Sequence, residues 1–208
     1  MSAPDELATP PMDLGLLGLI RADLGRKALW CYESDRPSAI LKTLLTDGTA
    51  AMILYRLMQA SRRLRLTPLE MVSNKLIALF GGCIIGRGAE FGPGLVLIHS
   101  NGIVINGRVR GGRNVLIEHQ VTIGAERGQM PVLGNDVFLG AGAKILGPIV
   151  IGDGVRIGAN AVVLHDVPPH CTAVGIPARV VRRRRRGDGD APALDPDSGR
   201  SQPTPGAQ

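Results

Sequence analysis

The sequence predicts a mainly β protein, a parallel β-helix that follows a small α-helical domain. Three observations carry that prediction. From Leu133 an aliphatic residue returns every six positions, at Leu139, Ile145, Ile151, Ile157 and Val163. The next position reads Gly134, Gly140, Leu146, Gly152, Gly158, Leu164. A helix repeats at about 3.6 residues and a strand at about 2, and neither keeps a strict six. A six-residue period marks a coil whose units each form one side of a triangular prism, with the aliphatic pointing inward. Composition agrees: aromatics are 3% and Gly is 28 of 208 residues, as suits a narrow prism filled by stacked Ile, Leu and Val. The residues before Gly82 change period to that of amphipathic helices, which need a partner face.

In chain order, residues 1–11 carry Pro and Ser and are expected to be a flexible N-terminus. The helical domain spans 12–82. Its first helix runs from Met12 to Tyr32, with Leu16, Leu19, Ile20, Leu24 and Leu29 recurring. Asp35, Pro37 and Ser38 open a second helix carrying Ile40, Leu41, Leu44 and Leu45, which Asp47-Gly48 interrupts. A third runs from Thr49 to Leu64, with Met52, Leu54, Tyr55 and Met58 as its buried stripe. Thr67-Pro68 begins a fourth, Thr as cap and Pro in the first turn, and Gly81-Gly82 ends it.

The β-helix spans 83–181. Upstream of Leu133 the period holds at Ile85, Phe91 and Leu97, and again at Ile105, Gly111, Ile117 and Ile123. Two extra residues separate the first run from the second, and four separate the second from Leu133. Such faults are where loops leave a solenoid. The small residue after each aliphatic is expected to turn the corner with glycine-tolerant backbone geometry. Pro168-Pro169 stop the coil, and Ala173 to Val181 reads as a closing strand or short helix. Residues 182–208 hold an Arg run and a polar tail expected to be disordered.

Charge and cysteines exclude several classes. The net charge is +6, but Arg182 to Arg186 supply five of those charges. The body is then close to neutral, and no nucleic-acid partner is expected. Cys31, Cys83 and Cys171 are scattered, with no disulfide framework or metal-binding pair, which suits a reducing, cytoplasmic setting. The apolar run Gly15–Ile20 follows Asp13 and is a poor signal peptide. No stretch approaches the roughly 20 apolar residues of a membrane span, so no integral membrane segment is expected.

Chemistry can be placed by counting coils. His99 and His119 are both the second residue after an inward aliphatic, Leu97 and Ile117, one full turn apart. They should stack on one face, and the next turns put Ala141 and Ala159 in the same column. Histidine is the natural general base near neutral pH. A second imidazole beside it makes double protonation unfavourable and keeps one as a free base. Glu118 is a neighbouring carboxylate able to orient an imidazole. His165 and His170 flank the coil exit and are read as structural or solvated.

These residues resemble a known family. Gly92-Pro-Gly-Leu-Val-Leu-Ile-His99-Ser-Asn-Gly-Ile-Val is similar to the GxGLxxDHxTGIVV segment of serine acetyltransferases. Val121–Gly124 matches their VTLGG, and Leu139–Gly147 their IGAGAKVLG. Gly158–Val181 matches their IGANSVVL and DVPP…VGIPARVV segments. The resemblance covers about residues 13 to 181. It implies a left-handed parallel β-helix, a homotrimer that could pair into a dimer of trimers, and transfer of acetyl from acetyl-CoA to a hydroxyl. His99 falls on the family's base. Gly140, Ala141 and Ala159 fall along the coenzyme A arm, with Lys144 and Arg179 as neighbours for its phosphates. The chain departs where the family has aspartates, at Ile84 and Ile98, and where Gly128-Gln-Met-Pro131 replaces the Asp-Arg-His-Pro acceptor loop. A site built for charged groups is not kept by Ile and Met. The expected acceptor is therefore a hydroxyl of a small molecule, sugar or glycan, with serine as the alternative. A non-catalytic trimeric scaffold is a further alternative. A zinc enzyme of the γ-carbonic anhydrase type needs three histidines, and only His99 and His119 lie on the coils, so no metal is expected.

Overall fold

A computed structural model describes residues 14–183. Four helices, α1 (Leu16–Tyr32), α2 (Pro37–Thr43), α3 (Thr49–Arg63) and α4 (Thr67–Gly81), precede the strands. The strands are β1 (Ile84–Ile85), β2 (Glu90–Phe91), β3 (Val96–Leu97), β4 (Val104–Ile105), β5 (Arg110–Gly111), β6 (Leu116–Ile117), β7 (Thr122–Gly124), β8 (Val132–Leu133), β9 (Phe138–Leu139), β10 (Lys144–Leu146), β11 (Val150–Ile151), β12 (Arg156–Ile157), β13 (Val162–Val163), β14 (Cys171–Gly175) and β15 (Ala178–Arg183).

From β1 to β13 every third strand pairs in parallel. One sheet runs β1-β4-β7-β10-β13, a second β11-β8-β5-β2, and a third β15-β14-β12-β9-β6-β3. These are the three walls of a prism, and three successive strands make one turn. The inward column of the first sheet is Ile85, Ile105, Ile123, Ile145 and Val163, each at most 1% exposed. Leu97, Ile117, Leu139, Ile157 and Ala173 stack likewise in the third. Gly111 keeps the phase without a side chain because Phe91 fills its space. A Cβ there would lie 2.3 Å from the Phe91 ring.

The expected corner geometry needs a correction. Gly134, Gly140, Gly152 and Gly158 do not take positive φ; the left-handed position is the third after the inward residue, as at Asn114, Gln120, Asp136, Gly142, Gly154 and Asn160. The glycine just after the aliphatic answers crowding instead. A Cβ on Gly140 would stand 2.7 Å from the Ala159 nitrogen one turn on. Asn and Asp tolerate the left-handed corner, and their side chains bond along it: Asn114 Nδ2 donates to Asp136 Oδ1 at 2.8 Å.

The helices dock on the first turn. α3 turns Met52, Tyr55 and Met58 into the core of the prism's open end. Its partner stripe is narrower than expected, since Leu54 is only partly buried. Leu29 is exposed on α1, and Leu41, Leu44 and Leu45 on and after α2. Leu66, not Thr67, is the N-cap of α4, and it makes no side-chain cap bond. A buried ion pair ties the helices to the coil. Arg56 on α3 donates to both oxygens of Asp23 on α1 (2.7 and 2.9 Å) and to the Phe91 and Gly92 carbonyls (2.8 and 2.6 Å). Asp23 Oδ1 in turn accepts from the Gly94 and Leu95 N–H groups at 2.9 and 3.0 Å. At the far end, β14 and β15 form an antiparallel hairpin through a cis Ile176–Pro177 bond. The Arg184–Arg186 part of the Arg run, the polar tail and the N-terminal 1–13 lie outside the described residues.

Candidate active site

The third sheet meets the first along an edge, and the expected column lies on that edge. Leu97, Ile117, Leu139 and Ile157 are in register, so His99, His119, Ala141 and Ala159, each two residues on, stack over one another. The two imidazoles meet edge to face, with ring centroids 6.1 Å apart. The four residues share a cavity of about 480 Å³ with Glu118 and Gly140, a size typical of small-ligand sites.

Its far wall joins helix to coil. Trp30 of α1 stacks on Phe138 of β9 with centroids 5.5 Å apart. The Arg156 guanidinium of β12 lies over the other end of this wall, 4.4 Å from the Phe138 ring centroid. Trp30 packs into a small apolar cluster with Val96, Ile98 and Leu116. Ile98 therefore anchors α1 where a carboxylate would be buried without a partner. Ile84 is 59% exposed on the outer face of β1. Trp30, Phe138 and Arg156 were not singled out from the sequence. The signal was there for the last two: each sits one residue before an inward aliphatic of the third sheet, so counting coils puts them on its outer face.

His99 also borders a second hollow of about 440 Å³, bounded by Thr46, Asp47, Ser100 and Asn101 with Leu44, Leu45 and Phe80. The two-residue insertion after Leu97 makes one side of it, and the α2–α3 loop the other. Asp47 Oδ2 lies 3.2 Å from His99 Nδ1. Glu118 lies nearer the other imidazole, its Oε2 3.6 Å from His119 Nδ1. Beneath the loop, Lys27 of α1 is fully buried. Its ammonium donates to the Leu97 carbonyl at 2.9 Å and also to the Asp47 carbonyl. Burial pushes the Lys27 ammonium down to about 8.

The structure does not bring every expected residue to the cavity. Lys144 donates to the Gln120 carbonyl at 2.6 Å and is not in the lining, and Arg179 is exposed on β15. The four-residue insertion folds on itself: Glu126 and Gln129 exchange backbone hydrogen bonds of 3.0 and 2.9 Å, and Arg108 donates to the Gly128 carbonyl. His165 and His170 are exposed at the coil exit. Among the described residues no three His, Cys, Asp or Glu side chains converge to hold a metal ion, and no helix is long and apolar enough to cross a membrane.

Comparison with known proteins agrees with this geometry. Residues 130–165 match the family model for bacterial transferase hexapeptide (six repeats). A serine acetyltransferase of Helicobacter pylori is 42% identical over 146 residues, which are 68% of this chain and 85% of that protein. The crystal structure of Neisseria gonorrhoeae serine acetyltransferase superposes with a TM-score of 0.74 at 32% identity, over 84% of this chain and 69% of that one. A serine acetyltransferase in complex with CoA superposes with a TM-score of 0.68 at 32% identity, over 77% and 68%. With a β-helix in six-residue register, a histidine column at its edge and this degree of likeness, the chain belongs to the serine acetyltransferase family and is an acyltransferase.

Proposed function

We propose that the chain is a serine O-acetyltransferase that uses acetyl-CoA. The observation that carries the reading is the position of His99, between a largely apolar cavity on one side and a polar hollow on the other. The first suits the thin arm and thioester of acetyl-CoA. Gly140, Ala141 and Ala159 keep its floor low, and Arg156 puts a positive charge on the wall toward an anionic donor. The second, with Asn101 and Asp47, suits a small polar acceptor. His99 takes the proton of the serine hydroxyl as its oxygen attacks the acetyl carbonyl. The C–O bond forms, the C–S bond breaks, and the proton passes to the departing CoA sulfur. His119 with Glu118 forms the neighbouring wall and stays close enough to contact the acyl group.

The carbohydrate acceptor expected from the sequence loses its main support. That expectation rested on carboxylates missing at Ile84 and Ile98 and on the loop Gly128-Gln-Met-Pro131; for the first of these, Asp47 supplies a carboxylate from the helical domain instead. The relatives named for serine point the same way. Lys144, bonded to the Gln120 carbonyl, and Arg179, on the closing hairpin, lie outside the cavity lining. The test is CoA thiol release from acetyl-CoA with L-serine and, in parallel, a panel of sugars. Serine-dependent release, lowered about 10²- to 10⁴-fold in His99→Ala, is expected. Release with a sugar and none with serine would overturn the acceptor.

A further inference from the structure

We propose that Asp47 is the positioning residue of His99, and that buried Lys27 holds Asp47 in place from beneath. A Lys27–Asp47–His99 chain would thus run from the helical domain into the β-helix edge. The inference rests on the reading of His99 as the base.

A catalytic imidazole must present the right nitrogen and the right tautomer. Asp47 Oδ2 sits 3.2 Å from His99 Nδ1. A carboxylate there favours the proton on Nδ1 and leaves Nε2 unprotonated, able to take a proton from an acceptor. The coil cannot do this job itself. Coil residues Ile84, exposed on the outer face, and Ile98, next to His99 and packed under Trp30, offer it no carboxylate. The nearest coil carboxylate, Glu118, belongs to His119.

A carboxylate that is 79% exposed is a poor positioner unless its backbone is fixed. Here it is fixed three ways. Lys27 donates to the Asp47 carbonyl and to the Leu97 carbonyl, so one ammonium clasps both the loop and the strand that ends two residues before His99. Gly48, at φ +77°, presses so close to that strand that a Cβ would lie 2.3 Å from the Leu97 oxygen. The hydroxyls of Thr46 and Thr49 both donate to the Thr43 carbonyl at 2.7 Å and close the loop from the other side. Burying a lysine against two carbonyls, with the Asp47 carboxylate acting on it only as a lesser influence than burial, is costly. The two carbonyls it clasps are the ones that set the distance from Asp47 to His99, which gives that cost a function.

Steady-state kinetics with serine and His-selective ¹⁵N NMR of the substrate-free protein together test the chain. Asp47→Ala should lower kcat about 10- to 100-fold, with little change in the KM for acetyl-CoA. It should also shift the His99 resonances away from the Nδ1–H tautomer. Asp47→Asn, whose amide oxygen can still accept from Nδ1–H, should keep the tautomer and recover part of the rate. Lys27→Met should stay folded and show a smaller loss of both. A His99 tautomer unchanged in Asp47→Ala would overturn the proposal. A Lys27→Met variant with wild-type rate and tautomer would overturn the Lys27 part. The NMR arm needs no acceptor, so it decides the Asp47–His99 pair even if wild-type protein fails to acetylate serine, a result that would instead sink the functional reading.

Discussion

At the residue scale the buried Lys27 makes a prediction about pH. Its ammonium ordinarily titrates near 10.5 and burial brings it to about 8. Below pH 8 both folded and unfolded chains carry the proton, and the folded state bears the full cost of burying the charge. Between 8 and 10.5 the unfolded chain still binds a proton that the folded chain has lost, so this residue makes stability rise with pH. The full rise is about 3 kcal/mol. Other groups act in the opposite direction. Burial raises the Cys31 thiol, and pushes the Cys83 thiol up to about 11 and the Tyr55 phenol up to about 12, and an acid held protonated by folding loses stability as the unfolded chain ionises. Cys83 and Tyr55 are present in Lys27→Met and cancel in a comparison; Cys31 feels the Lys27 charge, so the comparison is made in a Cys31→Ser background. Urea unfolding of the two proteins should therefore show their difference moving in favour of wild type by about 2–3 kcal/mol from pH 8 to 10.5. A flat difference would mean that Lys27 does not sit in the buried place. The neutral amine still has two N–H groups for two carbonyls, so the clasp on Asp47 survives the titration.

At the element scale the joint between helices and coil rests on Asp23 and Arg56. Asp23→Ala leaves a buried guanidinium without its carboxylate, which costs about 3–5 kcal/mol, and it frees the Gly94 and Leu95 N–H groups as well. Replacing the pair together, Asp23→Leu with Arg56→Met, should cost less than the two single replacements added together, because no charge is stranded, although the Gly94 and Leu95 N–H groups and the Phe91 and Gly92 carbonyls then lose their partners. Chemical denaturation of the two single variants and the double one checks this; a double loss equal to the sum of the singles would refute the pairing argument. The same joint explains what the sequence could and could not convey. Every inward residue of the solenoid meets the same environment one turn later, so Ile85 through Val163 were legible from period alone. The column of His99, His119, Ala141 and Ala159 followed by counting. Asp47, Lys27 and Trp30 obey no period. Lys27 reaches Leu97 across 70 residues and Asp47 reaches His99 across 52, and a local pattern carries no trace of such a contact. Asp47-Gly48 was legible only as the interruption of a helix. The glycine corners were misplaced for a related reason: close approach between turns and positive φ both select small residues, and spacing alone does not tell them apart.

At the scale of the whole molecule, the outer faces leave apolar surface uncovered. Ile84 is 59% exposed and Val104 39% on the first sheet, and the closing hairpin presents Ile176 at 74% and Val181 at 62%. α4 adds Leu79 and Phe80 at 73% and 69%. Side chains of this kind gathered on outer walls mark association rather than a free surface, in keeping with the trimer that the family resemblance implies. The expected assembly is a homotrimer, with the cavity beside His99 closed by the next subunit. Sedimentation should then give about 66 kDa for three chains of 21.9 kDa, or twice that if the α4 faces pair two trimers. A mass of one chain at micromolar concentration would refute the assembly. Charge on the wall offers the sharper arm. Val104→Lys should favour the monomer. If the cavity is completed by a neighbour, the KM for acetyl-CoA should rise as that mass falls, while the isolated chain keeps its helical and β signals. An unchanged KM in a monomeric variant would mean that one chain holds the whole donor site.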